Sequence, residues 1–154
     1  MDSNISIVDV AAYFLHVLGQ ISCMKLHKLC YFAQGWWLAW TGTSLFPEDF
    51  QAWASGPVCP ILYELHKDDF VLKDGFFGIS DPSEKFTSDQ IEALSVIISE
   101  YGSMRPIDIT GHSRFDTPWK DARGNVPNGR KCTSIITKDS MKEYYTRSLS
   151  HGAK

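Results

Sequence analysis

Residues 22–60 read SCMKLHKLCYFAQGWWLAWTGTSLFPEDFQAWASGPVCP, and this stretch decides the fold. It holds four of the five tryptophans and three of the four cysteines of the 154-residue chain. Its first half has helical periodicity. Leu26, Leu29, Ala33, Trp36 and Trp40 form one apolar line, and Cys30, Trp37 and Cys23 extend it. Lys25, Lys28 and Gln34 mark what is left of a polar side. A helix apolar nearly all round belongs at the centre of a core. Ser22 can cap it and Gly42 can stop it, giving a helix over 22–40. Gly35 inside it costs about 1 kcal/mol against Ala, so the position points to close approach by another segment.

The second half changes period. Residues 45–54 alternate through Phe50, Ala52 and Trp53, which predicts a short extended segment. SGPVCP follows. Gly56 and Pro57 make a turn, and Pro60 suits the first turn of a short helix over 60–66.

Outward from this stretch the chain is mostly helical. A helix over 6–19 is capped by Ser6, supported by Asp9 and ended by Gly19, with His16 on its surface or at the core edge. Residues 67–86 read as loop with one short strand around Phe76 and Phe77. Thr87 and Gln90 form a capping box for a helix through Tyr101, with Ile91, Leu94, Val96, Ile97 and Ile98 as its apolar face. Pro106 starts a short helix. Thr117 and Pro118 cap and open another that carries Trp119, and Thr137 caps a last helix over 138–149, with Met141, Tyr144 and Tyr145 inward. The fold class is therefore mainly α: a compact helical domain over 1–150 with a small extended portion around residues 45–54. Residues 151–154 read as a frayed tail.

Composition narrows the function. A formal charge of −3 and no basic stripe give nucleic-acid binding little support. Arg123, Arg130 and Lys131 read as a solvated loop cluster. A metal site could use His27, His66 or His112 with carboxylates, but no cysteine pair has zinc-site spacing, no HExxH occurs, and no two histidines lie three or four apart on one helix. GxGxxG and GxxxxGK[ST] are absent. No apolar run approaches the roughly 18 residues of a membrane span. The expectation is a cytoplasmic protein with reduced thiols and no metal or other cofactor. A cysteine hydrolase built on Cys59 and His112, oriented by Asp116, is chemically conceivable, but no oxyanion-forming glycine run accompanies the set.

The residues do resemble a known family. Residues 24–39, MKLHKLCYFAQGWWLA, are similar to the LxKLxYFAQGWxLA signature of the Panacea domain, found in SocA-like antitoxins and GepA-like phage-associated proteins. Leu45-Phe46, Phe50-Gln-Ala-Trp53, Gly56-Pro57-Val58, Pro60 and Tyr63 resemble its continuation. Thr110-Gly-His112, Pro118-Trp119, Ala122-Arg123, Ile135-Ile136 and Tyr144-Tyr145 resemble its later elements. Gly111 splits the family's Thr-His pair, and the acidic residue expected just after that histidine is displaced.

The resemblance implies a mostly helical fold without enzymatic activity. It implies neutralisation of a cognate toxin, encoded nearby, by direct binding. An alternative is an adaptor that delivers a toxin to a ClpXP-type protease. The candidate partner contacts are Lys25, Lys28, Tyr31, Trp53, His112 and Trp119. Leu26, Leu29, Gly35, Trp36, Gly56, Pro57, Pro60 and Pro118 form the structural signature. No nucleic acid or membrane partner is implied.

Overall fold

The computed structural model describes residues 4–150. Helix α2 (Cys23–Thr41) runs through the middle, with Ser22 as its N-cap and Gly42 closing it. Leu26, Leu29, Cys30, Tyr31 and Phe32 are fully buried along its length. Each large apolar side chain sealed this way is worth about 1.5–3 kcal/mol. The segments that cover α2 are α1 (Ile7–Leu18), α4 (Ser88–Tyr101), α5 (Pro106–Arg114) and α7 (Lys138–Ser150), of which α7 makes the most extensive contact. Two short helices, α3 (Pro60–His66) and α6 (Thr117–Arg123), complete a mainly α architecture.

The extended residues form two small antiparallel sheets. β1 (Gln20–Ser22) pairs with β4 (Val71–Lys73), placing Ile21 opposite Leu72. β2 (Phe50–Trp53) lies between β3 (Gly56–Val58) and β5 (Ile135–Ile136). Ala52 faces Pro57 on one side, and Phe50 faces Ile136 on the other.

Local chemistry accounts for most helix boundaries. Ser6 and Asp9 make a reciprocal capping box on α1, and Thr87 and Gln90 make one on α4. Gly35 does mark a close approach. A β-carbon there would stand 2.6 Å from Cδ2 of Tyr145, whose ring is buried on α7.

Several expectations need correction. The strand within residues 67–86 is Val71–Lys73, while Phe76 and Phe77 sit in a turn. β1 supplies the pairing partner at 71–73, and nothing pairs at 76–77. Asp116, not Thr117, holds the N-cap position of α6. Val96 points outward, and Ala93 takes its place on the buried face of α4. Lys28 and Gln34, expected on a polar side of α2, are both buried. Gln34 is satisfied there: its amide donates to the Phe46 carbonyl at 2.7 Å and its oxygen accepts from Leu45 N–H at 2.7 Å. Arg123 is buried too and does not belong to a solvated loop. It donates to the carbonyls of Ala52, Pro127 and Arg130, tying the loop after α6 to β2.

Candidate functional site

An apolar cavity of about 420 Å³ opens between the N-terminal half of α2, the β2–β3 hairpin, α3 and residues 69–71. Its aromatic wall is Trp53 and Tyr63, packed edge to face with centroids 5.1 Å apart. Its buried polar lining comes from two consecutive residues of α2, His27 and Lys28, and from His66 at the end of α3, while Ser22, Ser55 and the exposed Lys67 and Asp69 add further polar groups.

The histidines form a directed chain. The backbone N–H of Cys59, at the N-cap of α3, donates to His27 Nδ1 at 3.2 Å. That nitrogen therefore carries no proton, and the neutral ring is protonated on Nε2. His27 Nε2 then donates to His66 Nε2 at 2.7 Å. This fixes the His66 proton on Nδ1, a buried N–H that meets no acceptor in hydrogen-bonding geometry. Both rings stay neutral at pH 7. Burial is the main cause and holds His27 well below the usual histidine range, with Lys28 and His66 adding to it. Burial also lowers His66, against the opposing influence of its own backbone and Asp69.

Lys28 is the more unusual group. Its side chain is fully buried, and its Nζ has no hydrogen-bond partner among the described residues. Loss of hydration brings its pKa down to about 7. Gly56 gives the chain room to lie there. Its φ is +106°, and a β-carbon would stand 3.0 Å from Lys28 Cε and 2.7 Å from Ser113 Oγ. So the glycine serves both the hairpin turn and the seat of the lysine.

The rim is apolar. Phe70 is 89% exposed, Met24 45% and Val71 46%. Ile107, next to the lining residue Pro106, is 72% exposed.

The residues expected as partner contacts are dispersed. Trp53 lies on the cavity wall and Lys28 at its inner end. Lys25 is half-buried and donates to the Gly102 carbonyl. His112 is exposed, set edge-on against Phe32 and Tyr101. Lys28, Tyr31 and Trp119 are buried, which takes them off the surface. Trp119 instead anchors α6, its Nε1 donating to the Trp53 carbonyl at 2.9 Å. Tyr31 packs edge-on against Phe50 and Tyr145.

The hydrolase set fails on its third member. Asp116 does not orient His112: its carboxylate receives the Tyr145 hydroxyl, and burial raises its pKa to about 6. Cys59 is sealed, and burial raises its thiol pKa. Sequence reasoning named His27 and His66 as candidate metal ligands but not as a hydrogen-bonded pair, because they are 39 residues apart and meet only when α3 folds back onto α2. Among the described residues no cluster of three or more histidines, cysteines or carboxylates is arranged to hold a metal, and no helix is long and apolar enough to cross a membrane.

Comparison with known proteins gives one finding. The family described as antitoxin SocA-like, Panacea domain, matches residues 26–120, from the body of α2 into α6. No curated protein and no solved structure matches the chain. The matched span takes in the buried lysine, the histidine pair and the hairpin that encloses them, and the chain belongs to the SocA-like antitoxin family, the Panacea domain.

Proposed function

We propose that this protein is an antitoxin-type binding module that neutralises a toxin encoded beside it through direct contact. Its membership of the antitoxin family, across residues 26–120, carries the reading. The structure adds a surface suited to it. Met24, Phe70 and Val71 around the cavity mouth, with Ile107 beside it, present bulky apolar side chains to solvent. Bulky apolar side chains exposed around one cavity mouth suit a protein–protein contact. Neutralisation by contact requires a complementary surface and no reacting group. Sequestration and delivery to a protease share this first step, so the docking face serves either outcome.

The test is growth. Cells expressing the neighbouring gene alone should arrest, and co-expression of this protein should restore growth. Phe70→Asp with Ile107→Asp should abolish rescue while the protein accumulates to normal levels. A neighbour that is harmless in several hosts would remove the basis of the reading.

A further inference from the structure

The cavity floor offers something that an antitoxin surface does not require. Among the described residues Lys28 Nζ is buried without a partner, and the buried His66 Nδ1–H meets only its own backbone, outside hydrogen-bonding geometry. Both are hydrogen-bond donors, and both belong to residues that line the same cavity. A buried donor left unpaired is destabilising, and a charged one more so. The scaffold nonetheless holds both in place. The Cys59 N–H fixes the tautomer of the histidine chain, and the missing side chain of Gly56 leaves room for the lysine. Neither donor atom is open to solvent, so an acceptor entering the cavity meets them as the lysine and histidine side chains turn toward it.

From this geometry we propose that the cavity binds a small carboxylate with a flat or apolar body, its carboxylate received by Lys28 and His66 and its body lying against Trp53 and Tyr63. Charge argues for one carboxylate. Among the buried lining residues Lys28 alone can be a cation near neutral pH, because both histidines are held neutral, and the exposed Lys67 and Asp69 on the same lining are opposite in charge. Size argues for a small molecule. About 420 Å³ lies within the roughly 300–1,000 Å³ range of ligand pockets. The aromatic wall argues for the apolar body, since Trp53 and Tyr63 present ring surface and Trp53 Nε1 is already committed to Gln51 at 2.8 Å. The rim proposed to dock a toxin surrounds the mouth of this cavity, but the carboxylate site is argued from its own residues and stands whether or not the antitoxin reading does.

The test is a titration of the purified full chain with benzoate, with benzyl alcohol as its uncharged counterpart. Amide and side-chain resonances are followed by NMR. Benzoate should saturate, with a Kd of about 1 mM or tighter. The displaced signals should map to residues 22–28, 53–58 and 63–71 and include the Lys28 ε-methylene. Benzyl alcohol should bind roughly tenfold more weakly, as expected for loss of a charge-assisted hydrogen bond. Lys28→Met should lose the preference for benzoate and leave the weak binding of benzyl alcohol unchanged. Three results would overturn the proposal: equal affinity for the two probes, no saturation by benzoate, or displaced signals elsewhere on the protein. If Lys28→Met does not fold, the wild-type comparison and the Lys28 ε-methylene signal decide alone.

Discussion

At the scale of single residues, Lys28 sets the energetics. Its folded pKa of about 7 lies below its ordinary 10.5, so between those values the unfolded chain binds more protons than the folded one. Stability must then rise with pH as the buried ammonium gives up its proton. The core thiols Cys30 and Cys59, held above their usual range, act in the opposite sense once unfolded thiols ionise near pH 9. The clean window is therefore about pH 7–8.5. Urea unfolding should show a gain of roughly 1–2 kcal/mol across it. Lys28→Met should flatten that slope and raise stability at pH 7 by about 1–4 kcal/mol, because a buried unpaired charge is replaced by an apolar side chain of similar volume. A Met variant less stable than wild type at pH 7 would refute this account of the lysine. Little of it could be read in the sequence. Lys28 carries no local sign of burial in the string, and the room for it is left by Gly56, which arrives from a distant element.

At the scale of elements, α2 and α7 depend on one small residue. Gly35→Ala gains about 1 kcal/mol of helix propensity but drives a methyl group into the ring of Tyr145. Tyr145 is sealed in the core and its hydroxyl is engaged by Asp116, so it cannot swing away cheaply. Overpacking of this kind costs about 1–3 kcal/mol, and a net loss of stability in thermal or urea unfolding is expected. Thr87→Ala removes the N-terminal cap of α4 and should cost about 1 kcal/mol in the same assay. Elements such as these were legible in the sequence. Ser6, Ser22, Thr87, Gly19 and Gly42 bound their helices through bonds made within a few residues. The misplaced strand shows where legibility stops. Val71–Lys73 is a strand only because Gln20–Ser22 lies beside it, and a pairing about 50 residues away leaves no local signal. The histidine pair and the buried Arg123 were hidden for the same reason, since each is defined by a contact between separate elements.

At the scale of the whole molecule, a well-sealed helical core carries an apolar rim that the fold does not need. Phe70 at 89% exposure and Ile107 at 72% contribute little to burial within the chain. Substituting either with Asp should change unfolding free energy by no more than about 0.5 kcal/mol, as for other surface positions. If these residues dock a toxin, the same substitutions should weaken binding by 1 kcal/mol or more each, since interface energy concentrates in a few bulky side chains. The most direct measurement is calorimetric titration of this protein with the purified product of the neighbouring gene, on wild type and on the Phe70→Asp, Ile107→Asp double variant. The account predicts a stoichiometric complex with wild type and a large loss of affinity in a variant of unchanged stability. Absence of a complex with wild type would contradict neutralisation by contact, and equal affinity for the two proteins would place the contact on another face.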